Sequence, residues 1–144
     1  MAAALAFSSA CTPSERAQAP GASSWTVVER RAELQDALAQ AGSRRVLVDV
    51  SAEWCVPCTA MRSLTFADER VQTALSDYAT IEVDVSEESP EQMALSDFFG
   101  ATALPCVVRF DDARALHAAV ANKQRIAPKP SLRLHTFVEP DELL

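Results

Sequence analysis

Two cysteines stand three positions apart in Trp54-Cys55-Val56-Pro57-Cys58. The apolar run Val46-Leu47-Val48, broken by Asp49, precedes them, and a helix-like segment from Thr59 to about Leu64 follows. The pair therefore sits where a buried strand hands over to a helix. Cys55 falls at the helix N-terminus, where unpaired backbone N–H groups and the macrodipole favour negative charge. The thiolate is the reactive form of cysteine, and thiols so placed reach a pKa of about 7 or below. Cys58, one helical turn on, faces the same side and can close a small disulfide ring. Pro57 fits the first turn, where a missing N–H costs little. The expected chemistry is thiol–disulfide exchange, with Cys55 attacking and Cys58 resolving the mixed disulfide. Half of a zinc site and an inert disulfide are the rivals. Zinc needs four ligands; only Cys11, Cys106, His117 and His135 remain, and no second C-x-x-C exists. No metal and no bound cofactor are expected.

Asp49 is one charge inside an apolar strand. Burying an unpaired carboxylate is costly, so its pKa should rise. Such an acid near Cys58 would take that thiol's proton when Cys58 attacks. The bland alternative is a carboxylate facing water at a strand end. Glu53 reads as a solvated neighbour, with a proton relay as the alternative. Trp54 is read as a shield for the disulfide and a partner-contact surface, against a core tryptophan. Cys106 is read as a small buried thiol, with a third redox thiol or a metal ligand as its alternatives. His117 and His135 are read as surface residues without a role, and Met61, Phe98 and Phe99 as core.

The elements that must hold these residues follow from periodicity. The chain has 144 residues, enough for one domain with a real core, and 49% of them are apolar. Trp25 to Val28 reads as a first strand. Leu34, Ala37, Leu38 and Ala41 fall at i, i+3, i+4 and i+7 of a helix over 31–41, which Gly42 stops. Val46 to Val50 is a continuous apolar strand. After the cysteine helix, in which Met61 and Leu64 should point inward, a second helical piece carries Val71, Ala74, Leu75 and Tyr78. Ile81, Val83 and Val85 alternate with Glu82 and Asp84 in a strand with one wetter face. Ser89-Pro90-Glu91-Gln92 starts a helix that passes Leu95, Phe98 and Phe99 and ends at Gly100. Leu104-Pro105 opens a strand over 106–110. Residues 113–131 carry no confident element. Leu132 to Val138 reads as a last strand, and Pro140 starts a stub of helix. The alternation describes a layered α/β sheet with an antiparallel part at its end.

The net charge is −7 and no basic stripe is visible, which argues against nucleic-acid binding. No run reaches the 18 or more apolar residues of a membrane span. Residues 1–24 are expected to be a signal or lipoprotein-like segment followed by a flexible tether, and 25–144 the domain. Residues 1–11 look like the tail of a secretory signal ending at a lipoprotein-type site, with Ser9-Ala10 before Cys11. They lack a basic start, their apolar part is short, and Ser8 stands where Leu is usual. Residues 12–24 are polar, small and proline-containing. The expectation is a periplasmic or cell-envelope protein, touching the membrane only through a lipid on Cys11. A cytoplasmic protein with a disordered tail is the alternative.

With these residues in place, the chain resembles the thioredoxin superfamily. The stretch Val-Asp-Val-Ser-Ala-Glu-Trp-Cys-Val-Pro-Cys carries the likeness, with Asp49 six residues before Cys55 and Leu104-Pro105 downstream. Within it, Ser-Ala-Glu-Trp-Cys-Val-x-Cys, Leu64-Thr65-Phe66-Ala67-Asp68 and Val71-Gln72-x-Ala74-Leu75 resemble the C-terminal periplasmic domain of the DsbD family of thiol:disulfide interchange proteins. The likeness spans roughly 25–110. It implies a thioredoxin-like fold, here with a truncated C-terminal helix. It also implies a cis Leu104–Pro105 bond beside the disulfide and a client-contact surface of Trp54, Val56, Pro57, Leu104 and Pro105. A client chain would pair with the Leu104 backbone by strand addition. Thr59 departs from the basic residue common there, and Cys106 from the usual Thr.

The implied function is a thiol:disulfide oxidoreductase, most simply a reductant of disulfides in exported proteins. Its partners would be disulfide-bearing clients and a thiol electron donor, such as a membrane reductase. A disulfide oxidase or isomerase runs on the same scaffold. A non-catalytic thioredoxin-like binding module for a metal or client is the alternative from another class. The missing last helix leaves a sheet face to be covered by residues 113–131 or by a second chain.

Overall fold

The computed structural model describes residues 24–144. Its elements are β1 (Thr26–Val28), α1 (Arg31–Ala41), β2 (Arg45–Ser51), α2 (Val56–Ala60), α3 (Glu69–Ala74), β3 (Tyr78–Asp84), α4 (Pro90–Phe99), β4 (Cys106–Phe110), α5 (Ala113–Ala121), β5 (Leu132–Leu134) and α6 (Pro140–Leu143). α2 runs on without a break as a π-helix over Met61–Thr65. The expected signal segment and Cys11 lie outside the described residues.

Five strands form one sheet in the order β1-β3-β2-β4-β5. β1, β3 and β2 are parallel; β4 joins β2, and β5 joins β4, antiparallel. This is the mixed sheet flanked by helices that the pattern of alternating elements describes. β2 is the central strand, and six of its seven residues are buried, as its continuous apolar run requires.

The pleat divides the core in two. Val46, Val48 and Val50 of β2, Ile81 and Val83 of β3, and Val108 and Phe110 of β4 face α1, α4 and α5. Leu47 and Val107 face the other way, toward Met61, Phe66, Val71, Leu75 and Val138. Phe98, Phe99 and Met61 are fully buried. Ser89 and Gln92 close a reciprocal cap on α4, and Gly100 ends it in a left-handed conformation.

Five expectations change. Residues 113–131 do hold an element, α5, whose Ala113, Leu116, Ala119 and Val120 are buried. Its small apolar face packs on α1. The opposite face of the sheet is covered not by residues 113–131 but by Phe137, Val138 and Leu143 of the C-terminal segment. The last strand is only three residues long. Leu64 is exposed rather than buried, because the π-turn adds a residue per turn and rotates it outward. Tyr78 belongs to β3, not to the helix before it, since α3 ends at Ala74.

Candidate active site

Cys55 and Cys58 are joined as a disulfide, S–S 2.07 Å, with their Cα atoms 5.2 Å apart. The site stands at the end of β2, where the chain turns into α2. Cys55 caps α2 in an extended conformation, and its Sγ accepts a hydrogen bond from the Cys58 amide at 3.2 Å. Its own amide donates to Ala52 O at 3.1 Å, and its carbonyl accepts from the Thr59 amide at 3.1 Å. The first cysteine is thus held by backbone groups on both sides. Both cysteines are buried side chains, but only Cys55 lines an open groove.

That groove has a volume of about 520 Å³. Trp54, Cys55, Val56 and Pro57 form one wall; Met93 and Ser96 of α4 and Ala101 to Leu104 form the other, with Val85 and Glu88 at one end. Val56 is 79% exposed and Trp54 56% exposed. The two form an exposed apolar pair at the rim of the groove. Trp54 is fixed there by its indole N–H, which donates to Ser86 O at 3.1 Å. Ser86 in turn accepts the Glu53 amide at 2.8 Å and donates to Asp84. Glu53 itself is exposed.

The Leu104–Pro105 bond is cis. Leu104 lines the groove, whereas Pro105 is buried and does not. Among the site residues the sequence singled out, Trp54, Cys55, Val56, Pro57 and Leu104 meet at this one surface. Cys58, Asp49 and Pro105 are buried and do not line it. Met93, Glu88 and the 101–103 turn were not singled out. Met93 reads as an ordinary helix position, and Glu88 shows its special place only through its left-handed backbone, φ 51°.

Asp49 is 4% exposed, and its Oδ1 has no hydrogen-bond partner. Burial pushes its carboxyl up to about 7; the nearby Glu82 carboxylate adds to the rise, and Arg62 opposes it. Cys106 is fully buried on β4. Burial pushes its thiol up to about 11, with Arg133 pulling down and Asp49 pushing up. At neutral pH it is a neutral core thiol. Among the described residues, no cluster of three or more His, Cys, Asp or Glu is placed to hold a metal. Among them, too, no helix is long and apolar enough to cross a membrane.

A family model described as thioredoxin-like matches residues 29–112. Curated relatives include the thiol:disulfide interchange protein DsbD of Salmonella paratyphi A, 37% identical over 98 residues, which are 68% of this chain and 17% of that protein. DsbD of Yersinia enterocolitica is 40% identical over 79 residues, 55% of this chain and 14% of that one. The chain therefore spans less than a fifth of the length of these relatives. Among solved structures, the oxidised C-terminal domain of Neisseria meningitidis DsbD aligns with a TM-score of 0.56 at 23% identity, covering 78% of this chain and 85% of that one. A thioredoxin variant from Halobacterium salinarum aligns at 0.57 and 22% identity, covering 88% and 89%. At such identities the structural likeness is one of fold.

Proposed function

The chain belongs to the thioredoxin-like family, and from that premise we propose that it is a thiol:disulfide oxidoreductase that reduces disulfides of other proteins through Cys55 and Cys58. One observation carries the reading: a closed Cys55–Cys58 disulfide whose first sulfur opens into an apolar-rimmed groove while its second does not. The sequence relationship to the DsbD proteins supports the reducing direction and a site of action in the periplasm or cell envelope. Disulfide-bearing clients and a thiol electron donor would be its partners. The lipid anchor on Cys11 remains part of this proposal and rests on the sequence alone.

The cycle balances as follows. The Cys55 thiolate attacks one sulfur of a client disulfide; the other client sulfur leaves with the electron pair and takes a proton. Cys58 then gives its proton to Asp49, and its sulfur attacks Cys55 Sγ. The second client sulfur leaves with the electron pair and takes a proton from water, and the Cys55–Cys58 bond closes. Two electrons have passed to the client, and a donor dithiol restores the pair. Asp49 suits the proton step because a carboxyl titrating near 7 exists in both forms at neutral pH. Trp54, Val56 and Leu104 would hold the client chain across the groove.

The test combines turnover with potential. Insulin-disulfide reduction should vanish in Cys55→Ser, while Cys58→Ser should accumulate a mixed disulfide. Equilibration with glutathione should give a potential at or below about −230 mV for a reductant; about −120 mV would mark an oxidant instead. Full turnover in both serine variants would sink the enzyme reading.

A further inference from the structure

Asp49 lies in one row across the sheet: Val27 on β1, Glu82 on β3, Asp49 on β2, Val107 on β4 and Leu134 on β5 are successive Cα partners. Paired residues share a face, so the side chains of this row stand together. Three of the five are apolar. Glu82 is the one other charge in the row, directly beside Asp49. A carboxylate set beside Asp49 across the strand pair disfavours the ionisation of Asp49. The side that faces them is covered by the helical body 56–65, and from its π-turn comes Arg62. Its Nη2 meets Glu82 Oε1 at 2.5 Å and lies 3.5 Å from Ser51 Oγ, two residues along β2 from Asp49. Arg62 therefore bridges the two strands at the rim of the buried carboxyl. The π-turn that turns Leu64 out to solvent also brings Arg62 to this rim. Such turns recur at functional sites.

The neighbouring groups are otherwise engaged. Asp84, next on that face of β3, accepts the Ser86 amide and hydroxyl. Arg109, next on that face of β4, donates to Ser131. Cys106 couples to Asp49 but is counted with the opposite core, as is Cys58 of α2. Glu82 and Arg62 are left as the charges that act on Asp49 from outside.

We propose that Arg62 and Glu82 are positioning residues that together set when Asp49 is in the form able to accept the Cys58 proton. Arg62 favours the carboxylate, which can take the proton. Glu82 favours the acid, the form that holds the proton once it has been taken. The ion pair sets these two influences against each other, and its half-exposed Arg62 leaves them open to salt and to a bound client. The inference deepens the reductase reading for the proton step, but its central measurement does not depend on turnover.

The measurement is the titration of the Asp49 carboxyl by carbon NMR in the oxidised protein, with Asp49→Asn identifying the signal. Arg62→Met should raise its midpoint and Glu82→Gln should lower it, each by roughly half a pH unit or more. The double variant should return near the wild-type value. The acid limb of the insulin-reduction profile should move in the same directions. Midpoints unmoved in both single variants, or moved the same way in both, would overturn the proposal. Midpoints moving in opposite directions as stated, in a wild-type protein that does not reduce insulin, would leave it standing and fault the reductase reading instead.

Discussion

The backbone amide of Cys58 donates to the sulfur of Cys55 across 3.2 Å, so the second cysteine's main chain supports the first cysteine's side chain. The reverse contact does not occur: Cys58 Sγ has no such amide donor among the described residues. A hydrogen bond from an N–H favours a sulfur anion over a thiol. The two cysteines are thus unequal by construction. One is supported by an amide and opens to the groove; the other is buried and does not line it.

The inequality has a direct readout. In the reduced protein at neutral pH, iodoacetamide should alkylate Cys55 at least about tenfold faster than Cys58, and Cys106 should not react until the protein unfolds. Mass mapping of labelled peptides over time checks all three. Equal rates at Cys55 and Cys58 would contradict the asymmetry.

Asp49 makes stability depend on pH with a definite sign. Its folded carboxyl is raised from the ordinary 3.8 to about 7. Between those values the unfolded chain is ionised while the folded protein holds the proton. Stability is therefore highest at the acid end of that window, falls as pH rises through it, and levels off above about 7. Asp49→Asn removes the effect. The variant should be more stable at pH 8, by an amount on the order of 4 kcal/mol, and the difference should shrink toward pH 4. Urea unfolding of the oxidised protein across that range is the measurement.

Thr65 ties the C-terminal segment to the π-turn. Its hydroxyl donates to Val138 O at 2.5 Å in a fully buried position. Thr65→Val keeps the shape and strands that carbonyl, costing about 1–3 kcal/mol. A fall in Tm of several degrees should appear, together with faster amide exchange in residues 137–143.

Gly100 holds a left-handed backbone, φ 65°, and an added Cβ would stand 2.6 Å from Arg133 Nη1. The guanidinium is the free end of a flexible side chain, so the contact yields and the backbone conformation carries the cost. Gly100→Ala should lose about 1–2 kcal/mol. Adding Arg133→Ala should recover little of it. Full recovery would place the cost in the contact.

Much of this molecule is written in local pattern. The 3.6-residue spacing of Leu34, Leu38 and Ala41, the unbroken run through Val46 to Val50, the Ser89–Gln92 cap and Gly100 each name an element with its ends. They do so because they depend on neighbours along the chain. The Cys55/Cys58 spacing at a strand-to-helix junction and the lone charge at Asp49 likewise mark a candidate site from sequence. The π-turn was not legible, since its extra residue leaves no mark in an apolar pattern four residues apart; Leu64 was misplaced for that reason. The small, alanine-rich face of α5 becomes a helix signal only once α1 offers a surface to bury it. What tertiary structure alone decided is which residues meet. Met93 and Leu104 come from distant parts of the chain to wall the Cys55 groove, and Glu82 and Arg62 come from separate elements to stand over Asp49. Strand order and register set those encounters, and both are properties of the closed sheet rather than of any segment in it.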